Sequence, residues 1–87
     1  MIEIVYSRRF LKSVKHLPLA QQKKLANLLV IFQEDPYHPF LHSKQLTGSL
    51  AGLLSFRITR DWRVIFQFLN PDKIQMLRAA HRKDIYY

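Results

Sequence analysis

The spacing of apolar residues changes from helical to extended about halfway along this chain of 87 residues. Phe10, Val14 and Leu17 recur at three- and four-residue intervals, and a second run with similar spacing ends at Phe32. Such intervals place apolar side chains on one face of a helix. From Leu54 onward apolar and polar residues alternate, as they do on a strand with one buried face. Because neither helices nor strands can bury an apolar face alone, we expect the two halves to pack together.

Short sequence signals divide the first half of the chain into elements. The β-branched run from Ile2 to Tyr6 predicts a strand, and Ser7 after it is a good N-cap for the first helix. Pro18 interrupts the helical spacing and can open a second helix, which Glu34-Asp35-Pro36 ends. Residues 36–52 contain two prolines and two glycines and lack periodicity, which predicts a loop with one short strand.

The second half of the chain predicts three consecutive strands. Residues 54–68 form two of them, joined near Arg60-Asp61, and Asn70-Pro71-Asp72 signals a second turn before a third strand over 74–80. We therefore expect an α+β fold with an N-terminal strand, a two-helix hairpin and an antiparallel meander. The meander forms a curved sheet with the helices on one face and the other face available, and residues 1–87 make a single domain.

Lysine and arginine outnumber the acidic residues by 14 to 6, which gives a formal net charge of +8. An excess of this size attracts nucleic acid or an acidic protein. The chain has no cysteine, no apolar segment typical of a signal peptide and no apolar run long enough to cross a membrane. We therefore expect a cytoplasmic protein that does not associate with membranes.

The arrangement of the acidic residues argues against a metal-dependent reaction. They are scattered along the chain and show no D-x-D or E-x-K spacing that would hold a metal ion near a phosphate. His38 and His42 are four residues apart, but Pro39 between them disrupts the helix that would bring both rings to one face. We therefore expect neither a metal ion nor another cofactor.

Four residues of the second half are candidates for chemistry on a phosphate. Arg57 and Arg63 alternate with apolar positions, so both can project from the face of the sheet that the helices leave free, while the register across the turn between their strands stays open. His81 ends the last strand, where it can titrate near neutral pH beside the phosphate-binding side chain of Arg82. Solvated strand arginines and an ordinary surface histidine are the alternatives. The basic residues of the first helix are expected to be solvated.

Three stretches of the second half, taken in order, resemble the RelE/ParE toxin superfamily. They are Lys44-x-Leu46-x-Gly48, the run Phe56-Arg57-Ile58-Thr59-x-x-Trp62-Arg63-Val64-Ile65-Phe66 and the ending Ala80-His81-Arg82-Lys83-Asp84-Ile85-Tyr86. The superfamily's order of a strand, two helices and a meander with a short basic tail matches the layout above. The resemblance implies a RelE-like fold over nearly the whole chain.

The resemblance also implies the toxin of a type II toxin–antitoxin system. The RelE branch is an endoribonuclease, or mRNA interferase, that cuts mRNA on the ribosome through the RNA's own 2′-hydroxyl and so inhibits translation. Ser55 stands where the best-known RelE has a further basic residue. The residues that the resemblance assigns to catalysis are Arg63, His81, Arg82 and Tyr86, and those expected to bind RNA are Lys44, Arg57 and Lys83.

Two other functions stay open at this point. The ParE branch shares the fold but inhibits DNA gyrase through protein contacts, although His81-Arg82 with Tyr86 argues against it. A module that only sequesters RNA would bind in a salt-dependent way without cutting. For a toxin, the expected partners are mRNA and a cognate antitoxin protein. The antitoxin would cover the basic groove expected on the face of the sheet that the helices leave free.

Overall fold

The computed structural model describes residues 1–85, so Tyr86 and Tyr87 lie outside the described residues. Two long helices and a five-stranded sheet form the fold, and a short helix ends the described chain. The elements are β1 (Glu3–Tyr6), α1 (Arg8–Lys15), α2 (Leu19–Glu34), β2 (Lys44–Gln45), β3 (Leu54–Arg57), β4 (Trp62–Asn70), β5 (Lys73–His81) and α3 (Arg82–Ile85), with 3₁₀ turns at Pro39–Leu41 and Gly48–Leu50.

The strands are arranged in the order β1-β5-β4-β3-β2. β3, β4 and β5 form the antiparallel meander that the alternating residues predict, and β2 adds a two-residue strand beside β3. The N-terminal strand β1 pairs in parallel with the last strand, with Glu3 opposite Lys73. The predicted α+β fold is confirmed. None of the helices within residues 1–85 is long and apolar enough to span a membrane.

The main core lies between the helices and one face of the sheet. Phe32 of α2 packs against Phe56 of β3 and Phe66 of β4, with ring centroids 5.2 Å and 4.9 Å away. All three side chains are fully buried. Aromatic rings in such tilted and edge-on arrangements dominate the packing energy of a core this small.

The face of the sheet opposite the long helices, called the second face below, carries another, smaller core. Leu46, Ile65 and Ile85 are buried together there, and Leu77 packs against them. Ile85 belongs to α3, so the chain folds back onto this face after β5 ends. The sequence predicted that this face would be uncovered. That prediction was wrong for its central part, because the alternating pattern also supplies apolar residues to this face.

A β-bulge interrupts the pairing of β4 with β5. Ile65 pairs with Arg78 and the next residue of β4, Phe66, pairs with Met76, so Leu77 is the extra residue. A bulge reverses the alternation of side chains beyond it. As a result Arg78 is opposite Ile65 on the second face, while Ala79 joins the main core.

Two serines of the α1 region hold the bulged part of β5. β1 ends opposite Met76, and beyond that point the edge of β5 faces α1 instead of a strand. The Ser7 hydroxyl donates to the Leu77 carbonyl at 3.0 Å while accepting the Phe10 N–H as the helix N-cap. The Ser13 hydroxyl accepts the Ala79 N–H at 2.8 Å. These bonds satisfy backbone groups that the sheet leaves without a partner.

Replacing Ser13 with alanine is expected to destabilise the fold. Ala79 is buried, so its N–H would lose its acceptor away from water, at a cost of about 1 to 3 kcal/mol. For a chain of this size each kcal/mol lowers Tm by about 4 to 8 °C. Thermal unfolding of Ser13→Ala should be compared with that of Ser49→Ala, which removes an exposed hydroxyl. Equal Tm values for the two variants would contradict the role given to Ser13.

Candidate functional site

Two arginines lie directly opposite each other on the second face of the sheet. Arg57 of β3 and Arg63 of β4 are cross-strand partners, and such partners project from the same face. Their neighbours Phe56 and Val64 point into the main core, so the arginines point away from the long helices. Both side chains are half-buried. The register thus places two guanidinium groups side by side.

The two arginines are not neutralised by carboxylates within the described part of the chain. The ion pairs shorter than 4.0 Å among residues 1–85 join Lys73 to Glu3 and Arg82 to Asp61. The Arg57 Nε is buried and has no hydrogen-bond partner there. Like charges directly opposite each other destabilise a sheet, and an unsatisfied buried donor adds to that cost. A bound anion would offset the repulsion between the two charges.

A further basic residue borders the arginine pair at the edge of the sheet. Lys44 of β2 is exposed and pairs with Ser55, which in turn pairs with Ile65. Lys44 therefore shares the second face with Arg57. Ser55 is fully buried and its hydroxyl has no partner among the described residues. A basic side chain at position 55 would meet the small core of Leu46 and Ile65, which explains why a short residue fits there.

Arg82 is held at the start of α3 by the turn between β3 and β4. The backbone N–H of Arg82 donates to the backbone carbonyl of Asp61 at 2.7 Å, and the Arg82 Nε lies 3.4 Å from Asp61 Oδ1. Both side chains are about half exposed, so this ion pair contributes only about 0 to 1 kcal/mol. Lys83 beside it is exposed. Arg82 can exchange Asp61 for another anion at small cost.

His81 is placed differently from the arginines. It pairs with Trp62, whose ring packs on the main core, and the two ring centroids are 5.1 Å apart. Arg63 pairs instead with Ala80. By register His81 is therefore on the opposite side of the sheet from Arg63, because the bulge in β5 has reversed the alternation before this point. Since His81 is the last residue of the strand, its half-exposed ring lies at the sheet margin.

The His81 ring has a defined tautomer when neutral. Its Nδ1 accepts the N–H of Lys83 at 3.2 Å, so the ring proton must be on Nε2. Nε2 can then donate a hydrogen bond but cannot accept a proton. Tyr86, the fourth residue assigned to catalysis, lies outside the described residues.

Arg78 is a basic residue of this face that the sequence analysis did not single out. Partial burial lowers the pKa of its guanidinium below the ordinary value, and the positive charge of Arg9 lowers it further, while Asp84 acts in the opposite direction. Ile74, Met76 and Arg78 are two residues apart, so an unbroken strand would carry Arg78 into the core. An arginine at a position where the alternation requires an apolar residue was therefore the sequence signal of the bulge.

The second face can bind an anion through these cationic side chains. The guanidinium groups of Arg57, Arg63 and Arg82 suit phosphate, because each offers several N–H donors in a planar fork. Within residues 1–85, histidine and carboxylate side chains do not gather in a group of three that would hold a metal ion.

Sequence comparison gives no matching protein-family model and no matching curated protein. Solved structures do match. YafQ from E. coli superposes with a TM-score of 0.76 over 100% of both chains, at 23% identity. The RelB–RelE antitoxin–toxin complex from Methanococcus jannaschii gives a TM-score of 0.76 over 94% of both chains, at 24% identity. The RelBE2 toxin–antitoxin complex from Mycobacterium tuberculosis gives 0.77 over 93% of this chain and 98% of that chain, at 18% identity.

These neighbours confirm, at the level of the fold, the resemblance to the RelE/ParE toxin superfamily that the sequence motifs indicated. The superpositions cover between 94% and 100% of each neighbour's chain. The chain therefore has the RelE-like fold shared by the RelE and YafQ toxins.

Proposed function

We propose that this chain is the toxin of a type II toxin–antitoxin system and an endoribonuclease that cleaves mRNA on the ribosome. The observation that carries the proposal is the pair formed by Arg57 and Arg63, side by side on the second face of a RelE-like sheet. Their charges have no carboxylate partner within 4.0 Å among the described residues. A sheet tolerates such a pair at a cost in stability, and a phosphodiester would offset it.

The proposed reaction is attack of a ribose 2′-hydroxyl on the adjacent phosphate. A bond forms between the 2′-oxygen and phosphorus, and the bond from phosphorus to the 5′-oxygen of the next nucleotide breaks. The 2′-hydroxyl loses its proton and the leaving 5′-oxygen gains one, so the products are a 2′,3′-cyclic phosphate and a 5′-hydroxyl. The transition state carries extra negative charge on phosphorus-bound oxygens, which Arg63 and Arg82 stabilise while Arg57 holds the backbone.

His81 stays in this proposal on the strength of the sequence motif, because its register places it on the opposite side of the sheet from Arg63. Its Nδ1 is occupied by the Lys83 N–H, which leaves Nε2–H as the free group of the neutral ring. The histidine would therefore orient an oxygen of the substrate through Nε2. Tyr86 is kept as a proposed catalytic residue on the strength of the sequence motif alone.

The remaining basic side chains give the RNA a path across the sheet. Lys44 and Lys83 are exposed on either side of the arginine pair and can contact phosphates without forming a fixed site. With a formal net charge of +8, the chain should bind RNA in a strongly salt-dependent way.

We propose that the same face binds an antitoxin. The RelB–RelE structure from Methanococcus jannaschii is that of an antitoxin–toxin complex. An acidic segment of a cognate antitoxin would neutralise Arg57, Arg63 and Lys44 and keep RNA away from them. Because its substrate is translated mRNA, the proposed site of action is the cytoplasm.

Replacing Arg63 with alanine is expected to slow RNA cleavage by about 10² to 10³, the usual cost of removing one group that stabilises transition-state charge. Cleavage should be measured by mapping 5′-hydroxyl ends on an mRNA bound to ribosomes. Arg60→Ala is the matched control, since it removes an exposed arginine from the neighbouring turn. Deoxyribose at the cut nucleotide should abolish cleavage, because the 2′-hydroxyl is the nucleophile.

Two results would reject the ribonuclease proposal. One is intact mRNA with the unmodified chain together with inhibition of DNA gyrase supercoiling, which would support a ParE-like function. The other is salt-dependent RNA binding without new 5′-hydroxyl ends, which would support a module that sequesters RNA.

The role given to His81 predicts a difference between two of its variants. Glutamine carries an amide N–H near the position of Nε2, so His81→Gln should retain more cleavage activity than His81→Ala. The cleavage rate should also depend on pH in the same way in the unmodified chain and in both variants, since the ring does not transfer a proton. Equal loss in both variants, with an inflection near neutral pH in the unmodified chain alone, would instead identify His81 as an acid or base.

A further inference from the structure

A cavity of about 360 Å³ opens beside the arginine pair on the second face of the sheet. Its walls are largely aliphatic, and two arginines stand at its rim. The residues that the argument uses are Leu50, Leu53, Ile65 and Leu77 in the walls and Arg9 and Arg78 at the rim. The volume is within the range of sites that hold small organic ligands.

The two rim arginines place like charges close together. Arg78 comes from the bulge of β5 and Arg9 from the first turn of α1, and the charge of Arg9 is among the causes that lower the pKa of Arg78. Neither has a carboxylate within 4.0 Å among residues 1–85. α1 begins at Arg8, so its N-terminus adds positive potential at the same place.

A backbone hydrogen bond holds Arg78 at the rim of the cavity. Its Nη2 donates to the Asp84 backbone carbonyl at 2.5 Å, which fixes the guanidinium in place. Its Nε is buried without a hydrogen-bond partner among the described residues. A fixed cation next to a second cation, with no carboxylate within 4.0 Å of either among residues 1–85, is arranged to receive an anion.

The position of the cavity relates it to the proposed cleavage site. Ile65 follows Arg63 by two residues on the same face of β4, and Arg78 is the cross-strand partner of Ile65. Along the strand direction, Arg78 therefore lies two residues, or about 6.6 Å, from the level of Arg63. Successive phosphates of an extended RNA strand are separated by a comparable distance.

We infer that this cavity is a nucleotide subsite next to the cleavage site, with a base against the aliphatic walls and its phosphate between Arg9 and Arg78. The inference rests on the proposed function, because it names the RNA that the face would bind. Aliphatic walls carry no hydrogen-bonding group that could read the edge of a base. The Ser7 hydroxyl is occupied by Leu77 and Phe10, so it is not available to read base edges. We therefore expect little preference among bases.

The test is an NMR titration of the ¹⁵N-labelled full chain with adenosine and uridine 5′-monophosphate. Both should shift the amide signals of Leu53 and Leu77 with similar affinity. Arg9→Ala should weaken this binding about tenfold, the effect of losing one charge-assisted hydrogen bond. Arg8→Ala is the matched control, because it removes an exposed arginine of the same helix turn that does not line the cavity.

Arg78→Lys supplies a second variant that keeps the charge but not the fork of donors, and it should also weaken binding. Equal affinities of the Arg9→Ala and Arg8→Ala variants would overturn the inference. So would inorganic phosphate binding as tightly as the nucleotides, since the aliphatic walls would then contribute nothing. Occupation of the cavity by hexaglutamate but not by either nucleotide would overturn it in favour of an acidic protein partner.

The subsite and the proposed cleavage fail separately. Nucleotide binding that depends on Arg9, in a chain that leaves mRNA intact, would support the subsite and reject the ribonuclease. Cleavage that depends on Arg63 and is accompanied by no shift at Leu53 or Leu77 would support the ribonuclease and reject the subsite.

Discussion

The hydrogen bonds from two serines to the last strand determine how the charged face of this protein is arranged. Ser7 and Ser13 bond to Leu77 and Ala79 of β5 at the point where β1 has ended and the sheet has no further strand to offer. The bonds satisfy the bulged backbone and join α1 to β5 across 66 residues or more of sequence. Without such partners a bulge in this half-buried position would leave polar groups unsatisfied, and the strand would favour regular pairing.

The bulge has consequences on both faces of the sheet. It turns Arg78 out of the core and toward Arg9, and it moves His81 to the side of Trp62 while Ala80 comes to lie opposite Arg63. Small alanine next to Arg63 leaves room beside the arginine pair. A single irregularity in β5 thus separates the histidine from the arginine pair and places Arg78 at the rim of the cavity that Arg9 also lines.

Much of the fold could be predicted because its signals are local. Ser7 as an N-cap, the end of α2 near Pro36 and the turn at Asn70-Pro71-Asp72 all depend on residues that are neighbours in the chain. Alternation placed Arg57 and Arg63 opposite the apolar positions of their strands, and the structure supplied the register that makes them cross-strand partners. The relation of His81 to Arg63 could not be predicted in this way, since one extra residue between them reverses the face. Cover of the second face by Ile85 was equally hidden.

The sequence by itself determined the order of helices and strands and the excess of positive charge, since these depend on periodicity and composition. Only the tertiary structure decided that β1 runs parallel to β5, that Arg78 leaves the core and that Arg9 joins it at a cavity. The physical reason is that these features arise where α1 meets β5. Hydrogen bonds between residues far apart in the chain compete there with regular strand pairing. The local spacing of residues does not show which of these two arrangements forms.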